Sequence, residues 1–190
     1  SKTSAATAIP LMSLTGTPVP KVSGTAKVGS TLKANAGTWK PATVTLKYQW
    51  KRDGKTITGA TKTSYKLVAA DAGKKITVTI TGSKSGYKSV SKTSAATAIP
   101  LMSLTGTPVP KVSGTAKVGS TLKANAGTWK PATVTLKYQW KRDGKTITGA
   151  TKTSYKLAKS DKGRKVTVTT TGSKSGYKSV SKTSLAKLIK

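Results

Sequence analysis

Apolar and polar side chains alternate with a period of two along most of the chain, and no stripe of helical spacing reaches useful length. In Leu46-Lys47-Tyr48-Gln49-Trp50-Lys51 the apolar and aromatic residues fall on one face and the polar ones on the other, as a half-buried strand requires. Asp53-Gly54 follows at once and signals a tight hairpin turn, after which Thr56-Ile57-Thr58 runs back. The same period sets Leu32 with Ala34 and Ala36, Tyr65 with Leu67, and Ile76 with Val78 and Ile80. Branched and aromatic side chains fit a pleated surface, so the wealth of Thr, Val, Ile and Tyr at these places agrees with strands. Gly24, Gly29, Gly37, Gly59, Gly73, Gly82 and Gly86 punctuate them at intervals suited to an all-β sandwich. The predicted core is Leu46, Tyr48, Trp50, Ile76 and Val78.

Each of these features occurs twice. Sliding the chain by 90 residues superposes Ser1–Val90 on Ser91–Val180 with seven mismatches, so 83 of 90 positions match. The chain is read as residues 1–13, the tail of a preceding repeat, followed by a repeat over 14–103 and a second over 104–190. Ser1–Pro10 recurs as Ser91–Pro100 and is therefore expected to be last-strand material from an upstream unit of a longer array. An unpaired strand of this kind is open to exchange with another chain or a neighbouring domain. At the other end Leu185–Lys190 replaces Ala95–Pro100, while Lys159 and Lys162 stand for Ala69 and Ala72. Polar capping of a terminal repeat and neutral drift between copies both account for these changes. Between the repeats, Ala95–Pro110 carries Pro100, Pro108 and Pro110 and is expected to limit bending.

Tyr48-Gln49-Trp50-Lys51-Arg52-Asp53-Gly54, then Ile57-Thr58-Gly59-Ala60-Thr61, Tyr65 and Leu67, and Asp71-Ala72-Gly73 before Ile76 and Val78 form a string that covers most of each unit. It resembles the bacterial Ig-like repeats of secreted and cell-surface proteins. The resemblance implies two tandem seven-stranded Ig-like β-sandwiches, an extracellular or cell-surface location, and use as spacer, stalk or attachment module in arrays. It makes Trp50 the core tryptophan of the third strand. Leu32 or Ala34 and Val78 then stand where antibody-type domains bridge two cysteines, so packing alone must fill that core. Asp71-x-Gly73 resembles the corner before the sixth strand, with Ile76 in place of a corner tyrosine.

Charge changes the picture more than size does. Lys and Arg total 35 against four acids, a net charge of +31. From Leu11 to Pro100 there are fifteen basic residues and two acids, and from Leu101 to Lys190 nineteen and two, so the charge belongs to the module and not to a tail. Such a field repels like copies and attracts polyanions. Only Arg52, Arg142 and Arg164 are arginines, and lysine acts as a hydrated point charge where arginine forks onto a phosphate. The field suits diffuse attraction better than a shaped anion site.

Catalytic chemistry is scarce. His, Cys and Glu are absent, and the acids are Asp53, Asp71, Asp143 and Asp161. Paired-carboxylate catalysis needs two acids near one substrate atom, and metal sites need clusters of His, Cys or carboxylates. No catalytic, cofactor or metal residue is assigned, and the chain is read as a non-enzyme. Thr81-Gly82-Ser83-Lys84-Ser85-Gly86-Tyr87 looks superficially like a phosphate loop, but it lacks the Gly-Lys-Ser/Thr ending and precedes no helix. It is read as the loop between the last two strands.

Aromatic residues supply the remaining candidates. Trp39 lies between Gly37-Thr38 and Lys40-Pro41, outside the strand pattern. It either folds over the open end of its own sandwich or, beside Lys40, presents an indole to a sugar ring, a base or the next domain. The candidate ligand contacts are Trp39, Lys40, Lys47 and Lys51, with Trp129, Lys130, Lys137 and Lys141 as their twins. The partners expected are neighbouring Ig-like repeats, an anionic cell-wall polymer or acidic glycan, and, without sequence preference, extracellular nucleic acid. A structural array and an adhesive module for such polymers are the two functions left standing, and one molecule can be both.

Overall fold

A computed structural model of the chain describes residues 9–190. They fall into two compact units divided between Pro100 and Leu101. The first contains β1 (Lys21–Ser23), β2 (Thr31–Asn35), β3 (Thr45–Arg52), β4 (Lys55–Thr56), β5 (Ser64–Lys66), β6 (Lys75–Ser83), β7 (Val90–Thr93) and β8 (Thr97–Ala98). The second repeats this order as β9 (Lys111–Ser113), β10 (Thr121–Asn125), β11 (Thr135–Arg142), β12 (Lys145–Thr146), β13 (Ser154–Lys156), β14 (Lys165–Ser173), β15 (Val180–Thr183) and β16 (Lys187–Leu188). One sheet of the first unit has the order β1-β2-β5 and the other β4-β3-β6-β7, with β8 pairing β6 beyond β7. All pairs are antiparallel. Because β7 and β8 are two halves of one broken strand on β6, each unit is a seven-stranded sandwich.

Local chemistry explains where the strands turn and break. Asp53 and Gly54 both take positive φ, 45° and 78°, the backbone of the primed turn that closes the β3–β4 hairpin. Between β7 and β8 the side chain of Ser94 substitutes for the interrupted ladder. Its Oγ accepts from the Val78 N–H at 3.1 Å and donates to the Ala95 carbonyl at 2.9 Å. The loop over residues 84–89 joins β6 to β7, but Thr81, Gly82 and Ser83, read with that loop from the sequence, are the end of β6, paired with β3.

Trp50, Ile76 and Val78 are fully buried, in the phase the alternation predicts, whereas Leu46 and Tyr48 are half-buried at its margin. The Trp50 indole donates to the Lys62 carbonyl at 2.9 Å and stacks on Tyr65 with ring centroids 5.7 Å apart. No disulfide exists in this cysteine-free chain, and Leu32, Leu67 and Ile80 fill the space around it.

Little of Ala95–Pro110 is a free connection. Ile99 is buried in the first unit and exchanges hydrogen bonds with Gly73 and Lys74, while Met102 pairs with Tyr177 and Leu104 is buried in the second. Leu101–Ser103, placed with the first repeat by the sequence pattern, thus lies with the second unit. The strand exchange proposed for Ser1–Pro10 lies outside the described residues, apart from Ile9 and Pro10, which are exposed.

The cores of the two units differ at one position that matters. Ile80 belongs to a single cluster running from Trp50 to Trp39 in the first unit. Its twin Thr170 is fully buried, and the second core falls into separate clusters around Trp140 and Trp129. Thr170 Oγ1 finds no hydrogen-bond partner among the described residues. A buried hydroxyl without a partner costs about 1–3 kcal/mol, and the lost methyl contacts add to it. Thr170→Ile is therefore expected to stabilise the second unit by about 1–3 kcal/mol in guanidinium unfolding. An unchanged or lowered midpoint would show that the hydroxyl is not the fault in this core.

Candidate functional site

The charge field is built by what the fold does with its four acids. Asp71 is the last residue of a 3₁₀ turn over Ala69–Asp71 and is fully buried. Its Oδ1 accepts from Arg52 Nε at 2.6 Å, and its Oδ2 from Tyr65 Oη at 3.0 Å and the Val68 N–H at 2.7 Å. Asp161 repeats the arrangement with Arg142, Tyr155 and Ala158. The hydrogen bond to Asp71 pushes Arg52 above its usual pKa, while burial first, and then the bond to Asp71, pushes Tyr65 up. The hydroxyl bond at the corner thus comes from a tyrosine on β5, not from the Ile76 position.

Asp53 is exposed and pairs with Lys74 at 3.0 Å, and its twin Asp143 pairs with Arg164 at 3.3 Å. The Lys75 N–H, and after it the Lys74 ammonium, hold Asp53 below the usual carboxylate range. Its depressed folded-state pKa contributes stability above the unfolded-state value that disappears as pH falls through the folded one. Every carboxylate side chain is thereby matched to one cation, leaving the lysine excess without acidic side chains to neutralise it.

That excess is spread over both sheets. On the outer face of β3, Lys47 pairs across to Thr81 and Lys51 to Thr77 and Thr56. On the other sheet Lys21 faces Asn35, Lys33 faces Ser23 and Ser64, and Lys66 faces Thr31. Like charges directly opposite are destabilising, and this register sets each of these lysines against a hydroxyl or an amide instead. Hydroxyls also bond one another, Thr79 to Thr93 at 2.9 Å and Thr81 to Ser91 at 2.7 Å. The surface is a grid of ammonium and hydroxyl groups on either face.

Lys47 and Lys137 are exposed, and Lys51 and Lys141 are half-buried beside them on the same outer face. Lys40 and Lys130 are exposed too, but in the loop before the third strand, where their backbones pair with Gly16 and Gly106. The structure does not gather the lysine candidates of a unit into one pocket.

Trp39 and Trp129 close their own sandwiches and are no platforms for a ligand. They are only 7% and 6% exposed, and each indole donates to a carbonyl three residues earlier, Ala36 or Ala126, at 3.1 Å. The Trp39 ring lies over Gly82 of β6, where an added Cβ would stand 2.4 Å from Cζ3. Gly82 is thus a packing residue within a strand and not part of a phosphate loop.

The strand order makes each unit an Ig-like sandwich. No protein-family model and no curated protein matches the sequence. Among solved structures, the tandem Ig repeats of Dlar are similar over 90% of this chain and 96% of that one, with 12% identity and a TM-score of 0.26. A Ca2+-stabilized adhesin that helps an Antarctic bacterium reach out and bind ice is similar over 92% of this chain and 49% of its own, with 14% identity and a TM-score of 0.37.

The candidate contacts drawn from the sequence leave out the three-stranded face of the Ig-like unit, although its strands are legible there and Lys33 alternates with Leu32 and Ala34. They also leave out Lys84. That ammonium is committed to the fold, donating to the Ala42 carbonyl and the Thr43 hydroxyl, and Lys174 does the same at Ala132 and Thr133. Among the described residues no group of three or more His, Cys, Asp or Glu is placed to hold a metal ion, and no helix is long and apolar enough to cross a membrane.

Proposed function

We propose that this chain is a non-catalytic, extracellular stalk segment whose Ig-like units adhere to anionic polymers, such as acidic wall polymers, acidic glycans or DNA, by diffuse electrostatic attraction. The observation that carries this reading is the register of lysines against hydroxyls on both outer faces, with all four acids held in ion pairs of the fold. No single residue dominates such a surface. Burial of Trp39 and Trp129 disfavours a stacking mode that reads sugar rings or bases.

Binding by charge neutralisation releases counterions, so affinity must fall steeply with salt. About six phosphate contacts on B-DNA give a log–log slope of about −5, and wall polymers share the sign. Replacing Lys47 or Lys33 by alanine is expected to lower that slope by about one each without abolishing binding. Retention on purified walls, DNA and a neutral glycan across a salt series measures this. Retention that does not change with salt would reject the electrostatic adhesin, and absence of retention at low salt would leave a plain spacer.

A further inference from the structure

The two units, aligned from Leu11 and Leu101, differ at eleven positions, and ten of these lie in residues 68–76 and 95–100 or their twins. The fold brings the two stretches together. In the second unit the Gly163 N–H donates to the Ile189 carbonyl at 2.8 Å, the Ile189 N–H to the Arg164 carbonyl at 3.0 Å, and β16 pairs with the start of β14. Divergence between the copies is therefore confined almost wholly to one edge of the sandwich.

What that edge acquires is of two kinds. Lys159, Lys162, Lys187 and Lys190 replace Ala69, Ala72, Thr97 and Pro100, and Leu185 and Leu188 replace Ala95 and Ala98. Neither leucine serves the core, for Leu185 is 88% exposed and Leu188 61%, whereas Ile189 between them and Lys190 is buried. Leu185 lines a cleft of ≈ 610 Å³ with Val109, Pro110 and Val112, and Val109 is itself 53% exposed. Lys162 and Lys190 line a cleft of ≈ 620 Å³ with Lys117. A cap that needed only water would gain polar residues alone. A contact for a soluble polyanion would gain cations and lose by holding leucines in water. A surface with acidic head groups above hydrocarbon rewards both changes.

We propose that the carboxy-terminal edge of the second unit docks on bilayers containing anionic lipid, with Leu185 and Leu188 entering the acyl boundary and the flanking lysines lying among the head groups. This contact is independent of the diffuse polymer binding described above, because it needs the leucines. The test is co-sedimentation of the full chain with vesicles of phosphatidylcholine alone or mixed with phosphatidylglycerol, with DNA retention measured in parallel. The chain should bind the mixed vesicles and leave the neutral ones in solution. Leu185→Ala/Leu188→Ala restores the residues of the first unit, so the fold should keep its thermal midpoint. It should weaken partitioning into mixed vesicles about tenfold while DNA retention stays unchanged. Lys162→Ala/Lys190→Ala should weaken both; Lys187 is left in place because its ammonium donates to the Gly114 carbonyl. Failure of the chain to bind mixed vesicles, or undiminished binding by the leucine variant, would overturn the proposal. Vesicle binding that survives while DNA and wall retention fail would count against the polymer reading alone.

Discussion

Asp71→Ala is expected to lower the stability of the first unit by about 3 kcal/mol, within the 3–5 kcal/mol typical when one partner of a buried ion pair is removed. The lower end applies because the Arg52 side chain is 28% exposed and recovers part of its hydration when its partner goes. The loss is not one of charge alone. Tyr65 Oη and the Val68 N–H both donate to the same carboxylate, and neither retains that acceptor in the variant. Asp161→Ala should do the same to the second unit through Arg142, Tyr155 and Ala158. Asp53→Ala removes an exposed pair and should have a much smaller effect, as surface pairs do. Guanidinium unfolding followed by tryptophan fluorescence measures all three. Equal, small losses for Asp71→Ala and Asp53→Ala would mean that the buried network does not hold the corner together.

Gly82→Ala should be nearly as damaging although it adds a single methyl group. The new Cβ would stand 2.4 and 2.5 Å from two carbons of the Trp39 ring and 3.0 Å from Val44 Cγ1. The indole cannot simply tilt away, since it is buried and donates to the Ala36 carbonyl. Overpacking of this kind costs about 1–3 kcal/mol, and so close an approach points to the upper end. For a domain of this size that lowers the thermal midpoint by roughly 10 °C or more. In a Trp39→Ala background the same change should cost almost nothing, because the obstacle is gone. Additive losses in this double-mutant cycle would show that Gly82 is needed for a reason other than the ring above it.

These two sites also mark where the sequence was legible and where it was not. Period-two alternation placed Trp50, Ile76 and Val78 correctly, because a strand gives each residue one face or the other. Arg52 continues the inward phase of Leu46, Tyr48 and Trp50, and that was the available sign of a buried acid waiting for it. The acid stands 19 residues on, past two turns, and local pattern carries no information about such a meeting. Trp39 lies outside any strand, so no period could orient it. Its best signal was indirect: Gly82 sits in a run of Thr, Val and Ile where glycine weakens a strand unless something must lie close above it. The lysine grid was half legible. Outward phase identified Lys47 and Lys51, but only the register shows that their cross-strand neighbours are threonines.

The ends of the sheets carry a consequence for how such a chain is made. Neighbouring domains of nearly identical sequence emerge from synthesis one after the other, and strands of one are chemically competent to complete the other, a characteristic route to misfolding. In the first unit the edge strands are β1, β5, β4 and the broken strand β7–β8, each piece two to four residues long, and all but β8 carry a lysine: Lys21, Lys66, Lys55 and Lys92. A lysine on a short edge discourages a second strand from pairing there, since joining like edges would bring ammonium groups together as the backbones dock. The twin edges bear Lys111, Lys156, Lys145 and Lys182. The lysine charge on these edges therefore also acts during folding as a fence between siblings, and removing it should expose the nascent tandem to mispairing.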